Sequence, residues 1–519
     1  MQYRFRMEPG ECWWGGTSDD GNAVPFTEST DLTRDFRISC PNQTMPMYLS
    51  SHGRCIWSEE PFAVTIRDGV FLMEGNEITL EKLGENLPEA YRAAQAKHFP
   101  PQGPIPPEKF FVTPQYNTWM QYTYQPTQAG VLAYAQSILD NGFTPGVLII
   151  DEGWHKPYGT WEFDPVKFPD PKAMISRLHE MGFSVMLWVV PYVRADGVEF
   201  VKKFMPQFNC AEADRVFFRN AQGQIAITQW WNGFSAAFDL TKECDARILD
   251  GQLSRLVEEY GVDGFKFDGG ELDFWNGSYT VNGPVDPSAT AAQRNIAWND
   301  FGTRYPFHEY KDTFKGGGKR VIQRIRDRFH SWDRDGLNTL IPNAILQGLL
   351  GHPFICPDMI GGGSWTHREL HRPIDQELFV RMAQCAALFP MMQFSWAPWE
   401  AVDPENLARI RAAQSLHVAF ADTFRRLIAD ACRTGEPILR SLAYNYPNCG
   451  YAHIRDQFML GRDILVAPVI EKGAAVKRVY LPEGTWLGCD GISYTGGVTL
   501  QLPVTLDSIP YFTRVEENG

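Results

Sequence analysis

Apolar and polar positions along this chain change their period twice. From Met1 to about Glu108 the apolar residues alternate over short runs, as in Ala63-Val64-Thr65-Ile66-Arg67 and Val70-Phe71-Leu72-Met73 on either side of Asp68-Gly69. A period of two turns one face of a strand toward a core, and Asp-Gly between two such runs predicts a tight hairpin. Residues 1–108 are therefore expected to form an antiparallel β-sandwich domain. Pro100, Pro101, Pro104, Pro106 and Pro107 then fix φ and remove backbone donors, which marks a stiff connection.

Beyond it, strand-like runs alternate with helical ones. Phe110 to Trp119 reads as a strand region, Thr127 to Asn141 as a helix, and Gly146 to Asp151 as a strand apolar on both faces. Pro171 to Met181 reads as a helix opened by proline, and Phe183 to Val190 as the next strand. Further strands are expected at Ala236 to Leu240, Gly264 to Phe267, Val321 to Ile325 and Pro353 to Cys356. Such a series implies an α/β fold, a (β/α)8 TIM barrel over residues 109–432. A doubly wound sheet is the alternative, but no Gly-x-Gly-x-x-Gly follows an early strand. After a helix at Leu416 to Ala431, strands return at Ile464 to Ile470, Lys477 to Leu481 and Val498 to Leu502, so residues 433–519 are expected to form a small C-terminal β-sandwich domain.

Charge and composition narrow the partners. With 48 basic against 62 acidic residues the net charge is −14, which disfavours nucleic acid or an anionic membrane. The first eight residues lack a signal-like apolar core, and no apolar run is long enough to span a bilayer, so a cytoplasmic location is expected. A homo-oligomer is left open. Ten scattered cysteines without a Cys-x-x-Cys pair signal neither a zinc site nor a dense disulfide framework. No metal and no cofactor is expected.

The candidate chemistry is carried by carboxylates at strand ends. Asp268 closes the run Gly264-Phe265-Lys266-Phe267 and is followed by Gly269-Gly270-Glu271. In a barrel that end faces the active site. Lys266, two residues earlier, shares Asp268's face of the strand and is expected to keep it ionised; the paired glycines are expected to let a ligand approach the backbone. Asp151-Glu152 follow the second strand and Trp188 lies in the third, while Asp239 ends another; Arg324 and Asp327 finish the Val321 strand, and Asp358 follows Pro357. Paired carboxylates without a metal cluster suit glycoside hydrolysis, with Asp268 as nucleophile and Asp327 as acid/base, its pKa raised until it yields its proton. Asp333 and Asp335 are rivals for the acid, and an ion pair of Asp327 with Arg326 or Arg328 is the purely structural alternative.

These residues resemble glycoside hydrolase family 31. The likeness rests on Leu148 to Trp154, Gly159 to Asp164, Leu187 to Pro191, Phe265 to Glu271, His352 to Gly362 and Asp456 to Pro468. It implies a retaining exo-α-glycosidase acting on an oligosaccharide or other glycoside, with Asp268 as nucleophile and Asp327 as acid/base. Asp151, Glu152, Trp188, Lys266, Glu271, Arg324, Asp358 and Trp396 are the residues expected to hold the sugar. Lys-Phe-Asp-Gly-Gly-Glu stands where the commoner α-glucosidases have Trp-x-Asp-x-Asn-Glu, and Gln393 to Trp399 replaces a segment with a sugar-binding His. The absence of that His speaks against a plain α-glucosidase, and the branch of the family that the chain resembles leans toward an α-galactosidase over an α-glucosidase or an enzyme of α-xylosides or α-N-acetylgalactosaminides. The other readings are a catalytically silent carbohydrate-binding protein and a barrel lyase or isomerase using Lys266.

Overall fold

The computed structural model describes residues 1–204, 210, 216–364 and 372–515. Its centre is a parallel sheet of β1 (Gln115–Asn117), β2 (Val147–Ile150), β3 (Ser184–Val189), β4 (Gly264–Phe267), β5 (Phe307–Tyr310), β6 (Ile322–Arg324), β7 (Ile355–Cys356), β8 (Met359–Ile360) and β9 (Gln393–Phe394). Neighbours run β7-β6-β5-β4-β3-β2-β1-β9-β8. Only Pro357 and Asp358 separate β7 from β8, so the two are halves of one stave and the sheet closes as an eight-stave barrel. The break has a local cause: Pro357 offers no N–H to a neighbour, and Asp358 takes φ +68°, which turns its carboxylate inward.

Helices on the outside begin where the sequence supplies caps. Thr127 accepts from Gly130 N at the start of Gln128–Asp140, and Asp170 with Pro171 opens Pro171–Glu180. The helix Glu243–Tyr260 stops at Gly261 in the left-handed region, and β4 follows three residues later. Two expectations fail here. Ala236 to Leu240 is no barrel stave: Gly233–Ala237 pairs antiparallel with Thr228–Trp230 and Tyr192–Val193 in a separate small sheet. β3 pairs directly with β4, and the stave that completes the barrel is β5, on the other side of β4, whose Phe307-His308-Glu309-Tyr310 is too polar to read as a buried strand. The helix expected at Leu416 to Ala431 is two, Pro404–Ala419 and Ala421–Thr434, broken at Phe420.

Two mainly antiparallel sheets precede the barrel. One contains Gln2–Arg6, Val70–Glu74, Ala63–Arg67 and Leu32–Asp35; the other contains Trp13–Thr17, Gln43–Ser50, Arg54–Trp57 and Thr79–Lys82. The predicted hairpin turns at Asp68 (φ +50°) and Gly69 (φ +67°), as a two-residue turn requires. Between the sheets Trp13, Phe26, Phe36, Tyr48, Phe62, Ile66 and Phe71 are buried. This domain also grips the barrel: Thr313–Phe314 pairs with Gln43-Thr44, and Gln43 Nε2 donates to the carbonyls of Lys311 (2.5 Å) and Arg324 (2.9 Å). At the far end a six-stranded and a two-stranded sheet close over Met459, Leu465, Val479, Trp486 and Phe512. Among the described residues no helix is long and apolar enough to cross a membrane. Cys210 and Cys244 are joined by a disulfide with Cα atoms 5.8 Å apart.

Candidate active site

A cavity of about 600 Å³ opens at the carboxyl ends of the staves. Eight of the ten expected residues line it: Asp151, Glu152, Trp188, Lys266, Asp268, Arg324, Asp327 and Asp358. Glu271 and Trp396 do not. Glu271 lies behind Lys311, 4.0 Å from its ammonium, and Trp396 packs against the hydrophobic core beside His330, ring centroids 6.5 Å apart. The rivals Asp333 and Asp335 are also off the lining, tied into their own turn, where Asp335 N donates to Asp333 Oδ1 (2.9 Å) and Arg326 pairs with Asp335 (3.1 Å). Asp239 is a structural acid, buried against Arg294 at 3.2 Å.

Asp268 is placed by the end of β4. Its backbone N donates to Val189 O at 2.9 Å, continuing the pairing with β3, while Trp188 Nε1 donates to its Oδ2 and Gly269 N to its Oδ1, each at 3.0 Å. Burial alone would push this carboxyl up. The ammoniums of Lys311 and Lys266 and the Arg324 guanidinium outweigh that and hold it below its usual value. Lys266 thus contributes, but its direct partner is Asp151: Nζ lies 2.7 Å from Asp151 Oδ2, with both side chains almost wholly buried. Asn117 Nδ2 donates to the same oxygen at 2.7 Å, and Glu152 N satisfies Oδ1 at 2.9 Å. Both oxygens of this buried carboxylate have a donor, the condition under which such a pair is tolerated. Gly269 and Gly270 serve packing and not ligand access. Their φ values are +67° and +77°, and a Cβ would meet the Tyr192 ring at 2.8 Å and the Trp298 ring at 2.5 Å.

Asp327 stands on the loop after β6 and takes neither neighbour as partner. Arg326 goes to Asp335, and the Arg328 side chain donates to Gly336 O and Thr339. Instead Arg324 donates to Asp327 Oδ1 (2.7 Å) and Lys311 to Oδ2 (2.9 Å). The side chain is 52% exposed, so cavity water screens both pairs, yet two cations against burial hold the carboxyl well below the carboxylate range. The raised pKa expected of an acid is therefore not found, because the expectation lacked Lys311. Arg324 also donates to Asp358 Oδ1 at 2.8 Å, and Asp358 Oδ2 accepts from Arg328 N at 2.8 Å, so one guanidinium ties the stave break to the Asp327 loop.

Glu152, on the same lining, shifts the other way. Burial pushes it up to about 8, while Tyr158 and Asn232 both donate to its Oε1. Asn232 and Trp231 come from the turn between Thr228–Trp230 and Gly233–Ala237, the small sheet mistaken for a stave. Trp119, Tyr124, Trp231 and Phe329 complete an aromatic rim, with Trp231 and Phe329 each 45% exposed. Flat rings beside carboxylates suit the apolar faces and hydroxyl edges of a sugar. Away from the cavity, Glu8, Glu11 and His52 come close enough together to hold a cation, but Arg54 already pairs with Glu11.

A closed parallel barrel with a carboxylate-rich hollow at the carboxyl ends of its staves defines a class of barrel enzyme scaffolds whose chemistry is set by loops. Residues 104–419 match the family described as "Glycosyl hydrolases family 31 TIM-barrel domain", and residues 435–517 match its C-terminal domain. The chain belongs to glycosyl hydrolase family 31. Among characterised relatives, the myogenesis-regulating glycosidase of Mus musculus is 32% identical over 442 residues, 83% of this chain and 60% of that protein. The isomaltosyltransferase of Sporosarcina globispora is 25% identical over 382 residues, 67% of this chain and 33% of that protein. The chain thus spans between a third and three fifths of the length of these relatives. A family 31 dextranase of Flavobacterium johnsoniae, solved with glucose, superposes with a TM-score of 0.83 at 18% identity, covering 99% of this chain and 66% of that one. At that identity the likeness is one of fold.

Proposed function

We propose that this chain is a retaining exo-α-glycosidase that removes a terminal sugar by double displacement, with an α-galactoside as the preferred substrate. Asp268 would attack the anomeric carbon while Asp327 protonates the departing oxygen. Water, deprotonated by Asp327, would then hydrolyse the glycosyl ester on Asp268. The observation that carries this reading is that the two carboxylates face one sugar-sized cavity, with Asp268 fixed by Trp188 and Gly269 and held ionised as a nucleophile must be. The galactose preference rests on the resemblance to one branch of the family and on the missing sugar-binding His described above. The test is a panel of 4-nitrophenyl α-glycosides of galactose, glucose, xylose, N-acetylgalactosamine and sulfoquinovose. Highest kcat/KM on the galactoside is expected; a higher value on another sugar replaces the substrate and leaves the mechanism standing.

One observation favours a second reading, a carbohydrate-binding protein without turnover: Arg324 and Lys311, at 2.7 and 2.9 Å, hold the Asp327 carboxyl well below the carboxylate range. Saturable binding of the same glycosides with no release of nitrophenol on any would establish it.

A further inference from the structure

The acid role asks Asp327 for a proton that its two cations deny it. The same ammonium that lies 2.9 Å from Asp327 Oδ2 lies 4.0 Å from Glu271 Oε1 on its other side. Beyond Glu271 sits Asp312, 2% exposed, whose Oδ1 accepts from Asn295 Nδ2 at 2.8 Å. Glu271 Oε2 and Asp312 Oδ2 are both buried with no hydrogen-bond partner. Two such oxygens on neighbouring carboxyls are costly as anions, and a proton on the pair removes most of that cost. Burial, with the charge of Asp268 and Asp273, pushes Glu271 up to about 7 against the pull of Lys311; burial and the charge of Glu271 push Asp312 far above the carboxylate range. The other titratable groups facing the pair are Tyr192 at Glu271 and the Cys40 thiol at Asp312. None of them is a cation.

We propose that Lys311 is a two-position positioning residue, resting on Asp327 while the Glu271–Asp312 pair holds a proton and moving onto Glu271 when that proton passes to Asp327. The inference rests on the reading of Asp268 and Asp327 given above and deepens it. The proton count balances: Lys311 Nζ, which lies between the two sites, gives one N–H proton to Asp327 Oδ2 and takes the pair's O–H proton from Glu271, so one O–H bond breaks, one forms, and the ammonium is restored as it shifts toward the newly formed anion. The net charge of the cluster is unchanged. The structure places the ammonium within about one ångström of the contact distance it needs on the Glu271 side.

The test compares methyl and 2,4-dinitrophenyl α-galactosides, or the same pair of whichever sugar the panel selects. Methanol leaves only with a proton, whereas dinitrophenolate leaves without one. Glu271→Gln cannot give up a proton or draw Lys311 away, so kcat/KM on the methyl glycoside should fall by about 10²-fold while the dinitrophenyl glycoside keeps near-parental values. Glu271→Asp should restore part of the loss. Equal losses on both glycosides, or none on either, overturn the inference, because a merely structural role would not distinguish leaving groups. If Glu271→Gln fails to fold, Asp312→Asn is the second variant. Its amide can donate to Glu271 and keep it ionised, which leaves the pair no proton to pass, so kcat/KM on the methyl glycoside should again fall selectively, and equal losses on both glycosides, or none on either, overturn the inference. Wild-type protein inactive on every glycoside sinks the hydrolase reading and this with it; activity with unselective losses sinks this alone.

Discussion

The two walls of the cavity hold the same kind of side chain by different means. On the β4 wall Asp268 continues a strand, accepts hydrogen bonds from an indole and a backbone amide, and feels its cations from a distance. On the β6 wall Asp327 sits on a loop, half exposed, and is held by direct ion pairs to Arg324 and Lys311. Backbone register places the first carboxylate; side-chain charge places the second. A nucleophile needs a fixed position and a constant charge, which a strand end supplies. A group that must take and give a proton needs surroundings that can change, which a movable lysine supplies and a rigid ladder does not.

The comparison can be broken from the β4 side first. Asp268→Asn should lower kcat by roughly four orders of magnitude with the thermal transition unchanged, since the amide keeps the shape but cannot attack. Appreciable residual hydrolysis, once contaminating enzyme is excluded, would take the nucleophile's role from this wall. Lys266→Met should act on the fold instead: it strands the buried Asp151 charge, and denaturant unfolding should report a loss of about 3–5 kcal/mol. Trp188→Phe removes one hydrogen bond to an ionised carboxylate, worth about 1.5–3 kcal/mol, so kcat/KM should drop by about ten- to a hundredfold. A change in KM without a change in kcat would place Trp188 among the groups that bind the sugar and not among those that hold Asp268.

The smallest effect sharpens the contrast with a carboxyl that neither wall ionises. Burial raises Glu152 from 4.5 to about 8, so the folded chain binds a proton that the unfolded chain has lost over this interval. Glu152 therefore favours folding fully below its unfolded pKa, and that contribution is lost as pH rises through about 8. Glu152→Gln has no such dependence. Its thermal midpoint relative to the parent should climb between about pH 4.5 and 8 and level off above, and a difference independent of pH would show that Glu152 is already ionised when folded.

Much of the β4 wall was legible in the residues because its signals are local. A short apolar run ending in Asp, the Asp-Gly hairpin of the first domain and the proline- and threonine-capped helices each depend on neighbours in sequence. The β6 wall was half legible: Arg324 and Asp327 were found, but their partner was not. Lys311 follows β5, and β5 carries Glu309 because its inward face meets other polar staves, while His308 on the opposite face meets the Tyr305 carbonyl. Gln393 Nε2 donates to Gln115 (3.0 Å) and to Glu309 (3.2 Å), and Arg324 lies 3.7 Å from Glu309. A strand whose buried face is polar breaks the apolar pattern by which buried strands are read.

What the amino-acid order determined by itself was the succession of elements and the carboxylates at their ends, since strand period, turn chemistry and capping act over a few residues. Which charges meet was decided only by closing the barrel. That closure brings residue 311 to residues 271 and 327, residue 266 to residue 151, and Gln43 of the first domain to the carbonyls behind both cations. Ionisation depends on distances of a few ångströms between groups far apart in sequence, so the chain names the acids and the fold assigns their protons.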